Sequence, residues 1–418
     1  MLQKGKVLVV VFSAVIILYG AAAAFYERVA AKDETFPALN VFMDTLRTIH
    51  RDYVEAPDMS KVQEGAMRGM IDALDPNSTY LTKAQVQELD RSKNLAGDVG
   101  LMLSKRAGIL YVVSAERNGP AAKAGVRPGD YLVSVDGVNV EDKSILETSV
   151  LLRGAPGSKV KTAVFRGNAI KPVELEFTRE AVAPAVVGSR MLDGRIGLIE
   201  VSSLANQALD QVRVKLKTVI SAGAEKVILD LRDCADGTAA DGANLANLFM
   251  RGGSIYSTRG RDGGILGEAK AVPEKFLTDL PLAVLINAST AGPAEIVAGA
   301  LKAAGRGVVI GEKSFGVGSS QTRIQLQSGS VLILSTAKFY TPDGKAIEND
   351  ESVRDTGIKP NVEVPDQDRL QDLLVNSYFE TQDDAAKYMQ LRDKVSQEQL
   401  AKAIEVLSKG QATQKRVE

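Results

Sequence analysis

Histidine, cysteine and tryptophan are nearly missing from this chain: its 418 residues hold one His, one Cys and no Trp. Each scarcity excludes some chemistry. Cys234 has no partner for an internal disulfide, and His50 with Cys234 cannot build a zinc site from several Cys and His ligands. A Ser-His-Asp triad would have to recruit His50, so covalent catalysis would more readily use another base. Excess charge is lacking too. The 51 Lys and Arg balance 52 Asp and Glu to a formal net charge of −1, which gives no field for nucleic acid or an anionic surface. No metal or cofactor site is expected. What is present is an ordinary globular composition, long enough for two to four domains at roughly 100–200 residues each.

Lys4 and Lys6 precede a run of 19 apolar or weakly polar residues, Val7–Phe25. Its first part, Val7–Leu18, has the length of a signal-peptide core, and Ala21–Ala24 offers small-residue cleavage sites. The whole run is also just long enough to cross a bilayer as a helix, with Phe25 and Tyr26 suited to the interface. Residues 1–26 are therefore a signal peptide or an N-terminal membrane anchor. Either way the rest is expected in the cell envelope, membrane-anchored or periplasmic or extracellular after cleavage. There Cys234 is expected as a small buried hydrophobe.

Phe36, Leu39, Phe42, Leu46 and Ile49 recur at helical spacing, with His50 beside the stripe as an ordinary helix residue. Leu74–Ser78 reads as a turn. From Gly97 to Glu180 the texture changes to short strands, Val99–Leu103, Ile109–Val113, Tyr131–Val135, Val160–Phe165 and Val173–Phe177, with helices at Ala121–Ala124 and Ser144–Leu152. From Ile196 buried strands (Ile196–Val201, Val227–Leu231, Leu282–Ile286, Val308–Ile310) alternate with helices (Leu209–Ser221, Ala243–Met250, Ala294–Ala304), the pattern of a layered α/β core. Ser330–Thr336 adds a strand. Leu391, Val395, Leu400, Ile404 and Leu407 mark a last amphipathic helix. The expected organisation is a helical region at 33–95, a small β-rich domain at 96–182, the α/β core at 183–365 and a helical tail at 366–418.

Several segments carry a resemblance over about residues 36–365. Leu74–Leu81 follows the pattern LDPxSxYL, Gly119–Asp130 reads GPAAKAGVRPGD, and Gly357–Pro360 closes the core. Lys226–Arg232, Ala294–Gly299, Gly305–Lys313 and Lys338–Gly344 match as well. The chain resembles the carboxy-terminal processing peptidases, exported serine peptidases of family S41. The resemblance implies a crotonase- or ClpP-like α/β core with an inserted PDZ domain and flanking N- and C-terminal helices.

That family uses a Ser nucleophile activated by a Lys, which as a buried neutral amine can take the Ser proton. The Ser lies in a GSASASEI segment and the Lys 25 residues later in TFGKGxxQ. Here the matching segments are Ser289–Ile296 and Ser314–Gln321, and the 25-residue spacing falls on Gly292 and Val317. The residue whose N–H would help form the oxyanion hole is Pro293, which has none. The second donor loop, LRNNPGG, matches Leu231–Gly237, with Asp236 in place of the first Gly. Only Gln321, which orients the Lys in the family, is retained. Loss of one oxyanion donor costs ~3 kcal/mol, and loss of nucleophile and base removes the covalent route. Without reactive groups the segment is expected to be a strand-to-helix junction, with Thr290 or Gly292 as cap and Glu295 in the first turn.

The expected function is then that of an exported pseudopeptidase, a scaffold or regulator. Its PDZ domain would bind protein C-termini or unfolded, extended peptides by strand addition, with Val99, Gly100 and Leu101 as the carboxylate loop. Asp98 beside that loop carries like charge, which weakens carboxylate capture. Partners implied are peptides, an active family peptidase or a second copy, and the membrane through Val7–Phe25, with no nucleic acid. The terminal amphipathic helices would be assembly surfaces. The alternative is an active serine-type endopeptidase with a non-standard nucleophile, for which Cys234 or the hydroxyls Ser289, Thr290, Ser319 and Ser320 near Lys313 are the candidates.

Overall fold

The computed structural model describes residues 35–106, 108–116, 119–167, 171–181, 187–348, 357–364 and 382–410. The Val7–Phe25 run lies outside them, and among the described residues no helix is long and apolar enough to cross a membrane. The chain divides into two units, Met1–Met67 and Arg68–Glu418. In the first, α1 (Thr35–Asp52) carries His50 and Arg51 in its last turn, where Arg51 suits the helix dipole. Leu39, Val41 and Met43 on this helix are exposed. The boundary between the units falls within α2 (Met59–Asp72).

The first strand of the second unit is β1 (Thr79–Leu81), which pairs with a strand far down the chain, so the region expected to be helical contributes a strand as well. Asp75 makes the Leu74–Ser78 turn, accepting the amides of Asn77 and Ser78 at 2.8 Å each. Thr82 and Gln85 form a capping box that starts α3 (Lys83–Ser92).

The β-rich domain follows: β2 (Gly97–Asp98), β3 (Leu101–Arg106), β4 (Ile109–Ala115), α4 (Pro120–Lys123), β5 (Tyr131–Val135), β6 (Val138–Asn139), α5 (Ile145–Leu152), β7 (Lys159–Phe165), β8 (Val173–Thr178) and β9 (Glu180–Ala181). The expected strand over Val99–Leu103 is broken, because Gly100 turns the chain at φ 72° between β2 and β3. The sheet runs β3-β4-β5-β7-β8, which leaves β3 at an edge, while β2 pairs with β9. Val99, Leu103, Leu110, Val112, Ala121, Val126, Leu132, Val135, Val160 and Val164 fill one core. The Gly125–Asp130 motif has a structural cause. Asp130 is buried, accepts Arg166 Nε and Nη2 at 2.7 and 2.6 Å, and also accepts the Arg127 amide. Removing one partner of such a buried pair costs ~3–5 kcal/mol.

The core then runs β10 (Val187–Leu192), β11 (Ile196–Val201), α6 (Ala208–Ser221), β12 (Lys226–Asp230), α7 (Ala239–Asn247), β13 (Ser254–Arg259), β14 (Ile265–Lys270), β15 (Leu282–Ile286), α8 (Pro293–Ala303), β16 (Val308–Gly311), β17 (Ser319–Gln325), β18 (Val331–Tyr340), β19 (Val362–Glu363) and α9 (Gln382–Ser408). The central sheet has the order β10-β11-β12-β15-β16-β19, parallel except for β10 against β11. Every residue of β15 is buried, as a strand covered on both faces requires. One face packs on α6, α7 and α8, including Val212, Leu216, Leu245 and Val297. A second sheet, β1-β18-β13-β14 with β17 on β18, completes the layers.

The other face of the central sheet is covered by α9: Ala403, Val406 and Leu407 pack on Ile196, Leu198, Ile228, Ala283, Leu285 and Ile310. This corrects the expectation that Leu391–Leu407 is an assembly surface. Its apolar stripe is used inside the chain, because a parallel sheet left open on one side would expose a wall of Ile, Leu and Ala. The helix around Ala243 also starts earlier than its apolar pattern implies, at Ala239, because Thr238 and Asp241 cap it reciprocally.

Candidate functional site

Three loops leave the carboxyl ends of adjacent parallel strands, the place where α/β sheets gather ligands. They follow β12 (231–238), β15 (287–292) and β16 (312–318), and hydrogen bonds bind them together. The Ala291 amide donates to the Cys234 carbonyl at 3.0 Å, and the Phe315 amide to the Thr290 carbonyl at 2.9 Å. The Thr290 hydroxyl donates to the Leu231 carbonyl at 2.9 Å, so it is spent on loop packing and Gly292 is the N-cap of α8.

Glu295 is the centre of this arrangement and was not singled out beyond a first-turn acid by sequence. It is fully buried. Oε1 accepts the Ser314 hydroxyl and the Gly316 amide, and Oε2 accepts the amides of Gly292 and Val317 at 2.8 and 2.7 Å. The two positions that the resemblance assigns to nucleophile and base thus meet across one carboxylate oxygen. Burial pushes the Glu295 pKa up to about 7, against the opposing pull of its hydrogen-bond donors. The available signal was an acid at the third helical position after Gly-Pro in an otherwise apolar helix.

Gly292 offers no reactive atom and Val317 no base. Gly292 holds φ 55° and ψ −115°, a conformation that costs a residue with a side chain ~1–3 kcal/mol. A Cβ placed there would find its nearest neighbour, the Ala235 carbonyl oxygen, at 3.9 Å. The turn therefore has room for a side chain and lacks one. Pro293, next to it, has no N–H. Across the gap, Asp236 accepts the amide of Gly237 on Oδ1 at 2.8 Å and the Ser203 hydroxyl on Oδ2 at 3.3 Å. The Gly237 N–H is thereby committed to a carboxylate from its own loop.

Of the other candidate groups, Ser289 is buried, and the Ser319 hydroxyl accepts the side-chain amides of Asn77 and Gln321 at 3.1 and 2.8 Å. Cys234 is fully buried, and burial first, then Asp236, Asp233 and Asp230, push its thiol pKa up, the reverse of an activated nucleophile. His50 is exposed on α1. The Ser314 hydroxyl, beside Lys313, donates to Glu295 and accepts the Ile358 amide at 2.7 Å. Gln321 donates to the hydroxyls of Ser319 and Ser335 at 2.8 and 3.2 Å. Asp233, at φ 62°, is clamped by Asn287 in both directions and by Arg392 from α9 at 2.7 Å. Among the described residues no group of three or more His, Cys, Asp or Glu is placed to hold a metal ion.

The β-rich domain touches this site directly. The Ser114 hydroxyl of β4 donates to the Asp233 carbonyl at 2.9 Å, and the Tyr111 ring lies 6.0 Å from that of Phe315. Val99, Gly100 and Leu101 lie at the turn into β3, and α5 packs against that strand. Ser144 and Glu147 cap α5 reciprocally, and Glu147 also accepts Gln85 from α3 at 2.7 Å and Arg68 from α2 at 2.9 Å, which fixes the start of α5.

Comparison with known proteins agrees with this layout. Residues 195–364 match the peptidase family S41 model and residues 111–166 a PDZ domain model. The carboxy-terminal processing protease CtpA of Bacillus subtilis is 32% identical over 84% of this chain and 74% of its own length. A carboxy-terminal-processing protease of Bartonella bacilliformis is 30% identical over 85% of this chain and 82% of its own. Among solved structures, the photosystem II D1 C-terminal processing protease superposes with a TM-score of 0.63 at 25% identity, over 80% of this chain and 97% of that one. With an α/β core and a PDZ domain laid out as in these proteins, the chain belongs to the carboxy-terminal processing proteases of peptidase family S41.

Proposed function

We propose that this chain is a non-hydrolytic member of its family, a pseudopeptidase that holds extended peptide segments in its PDZ groove as a scaffold or regulator. The observation that carries the reading is the pair Gly292 and Val317, joined through Glu295 with neither a nucleophile nor a base between them. Pro293 and the capped Gly237 amide support it, because a tetrahedral intermediate would find neither donor. The buried Cys234 and the engaged hydroxyls of Thr290 and Ser314 support it as well, and Ser289 is the hydroxyl the test below addresses.

The composition of Val7–Phe25 supports a place for this activity outside the cytoplasm, anchored by that run or released from it. A reporter enzyme active only outside the cytoplasm, fused after residue 34, would be active in cells; an inactive fusion would contradict export. The exposed Leu39 and Met43, one turn apart on α1, support that helix as the surface for pairing with a second copy or an active family peptidase.

The test of lost hydrolysis is cleavage of fluorescein-labelled unfolded casein by the purified unaltered chain. The expected result is no turnover above buffer. Turnover abolished by Ser289→Ala or by Cys234→Ala would overturn the reading in favour of a non-standard nucleophile.

A further inference from the structure

We propose that Asp98 seals the carboxylate end of the PDZ groove, so that the groove takes internal extended segments and discriminates against free chain ends. The inference rests on the peptide-binding reading above and narrows its ligand. A PDZ-type groove selects a chain end by presenting unpaired amides at the turn before its edge strand to the terminal carboxylate. Here that turn is Val99–Gly100–Leu101, and two of its amides already have an acceptor. Asp98 Oδ1 takes the Val99 N–H at 2.6 Å and the Gly100 N–H at 3.1 Å. A ligand carboxylate would have to displace an ionised side chain that is covalently held in place, or enter beside it.

Entry beside it meets like charge. Asp98 pairs with Glu180 across β2 and β9, and Glu116 lies close under the turn, its Oε2 3.1 Å from where a Cβ on Gly100 would sit. Desolvation, then Asp236, Asp98 and Glu180, push the Glu116 pKa up. Among the described residues two nearby cations are already engaged: Arg153 Nε lies 3.4 Å from Asp98 Oδ2, and Lys123 Nζ lies 3.0 Å from Glu180. A terminal carboxylate thus finds the amides of Val99 and Gly100 taken, and Arg153 and Lys123 already paired with acids.

The rest of the groove remains suited to an extended chain. Among the described residues no strand pairs with the outer edge of β3. Leu101 of β3 and Ile145 of α5 are only partly buried and pack against the core that includes Leu103 and Leu152. Strand addition needs only that edge and pockets for alternate side chains, and neither depends on a chain terminus. The same device occurs at Asp236, which takes the Gly237 amide. In both places an Asp side chain fills an amide that the family resemblance assigns to an anion.

The experiment uses matched arrays of dodecapeptides in three forms: free C-terminal carboxylate, C-terminal amide, and the same sequence continued by flanking residues. Binding of the full chain is read on the arrays and the best binders are followed by fluorescence anisotropy. The unaltered protein is expected to favour the amide and continued forms over the free-carboxylate form by about tenfold or more, the equivalent of one hydrogen bond to a charged group. Asp98→Ala frees the two amides and is expected to reverse that order. Asp98→Asn keeps an acceptor oxygen on both amides while removing the charge, so it should gain much less for the free carboxylate than Asp98→Ala; this separates sealed amides from a generally disturbed turn. A free-carboxylate preference in the unaltered protein, or no change of order in Asp98→Ala, overturns the inference and leaves peptide binding standing. Absence of binding in all three forms overturns both.

Discussion

At the scale of single residues, the three loops are held together by polar side chains that take up one another's backbone amides. Glu295 gathers three loop amides and a hydroxyl, and it is fully buried. A carboxyl whose pKa is higher in the fold than in the unfolded chain stabilises the fold when protonated. Its contribution is full below the ordinary value of 4.5 and is lost as pH rises through about 7. Urea denaturation of the unaltered chain should therefore show stability falling by on the order of 3 kcal/mol across that window, and Glu295→Gln should flatten this component. The Gln variant should also be less stable at the acidic end by ~1–3 kcal/mol, since its NH2 faces amide donors. An unchanged pH slope in Glu295→Gln would contradict the assignment. Cys234, buried with a raised thiol pKa, should react with iodoacetamide only as fast as the protein unfolds. Rapid labelling of the native chain would show an accessible thiolate. Gly292, Val317 and Pro293 were legible as substitutions from the resemblance alone. The engagement of Glu295, Asp236 and Asp98 was not, because a carboxylate that caps a neighbouring amide looks in sequence like any other surface acid.

At the scale of elements, strands were the most legible part. Tyr131–Val135, Ile196–Val201 and Leu282–Ile286 coincide with β5, β11 and β15, since short apolar β-branched runs between turns have few other solutions. Ends set by side-chain caps were less so: Thr238 with Asp241 moves the start of α7, and Gly100 breaks the run through Val99–Leu103. The last helix had its stripe legible but not its partner. Amphipathic periodicity fixes which face is apolar and is silent on what covers it. In α9 the stripe lies on the central sheet, while Arg392 reaches Asp233 and Gln399 accepts Arg232. Leu407→Ala should therefore cost ~2–5 kcal/mol in chemical denaturation, the range for truncating a buried leucine. A change below about 0.5 kcal/mol, as for an exposed position, would place this helix off the sheet.

At the scale of the whole molecule, the fold and the site tell separate stories. The α/β core and the PDZ domain match the family, and the central sheet brings three loops together at the ends of adjacent parallel strands. The backbone at Gly292 makes a turn with room for a side chain, and on the proposed reading this position and Val317 are where the reactive groups have been lost. A family fold supports many functions, so activity has to be judged at the site. The central claim is that the hydrolytic machinery is missing while its scaffold remains. The most direct measurement is casein turnover by the unaltered chain beside a variant carrying Gly292→Ser, Pro293→Ala, Val317→Lys and Asp236→Gly, with folding of both verified by circular dichroism. The account predicts no turnover by the unaltered chain and measurable turnover by the folded variant. Turnover by the unaltered chain, equal to or above that of the variant, would contradict it.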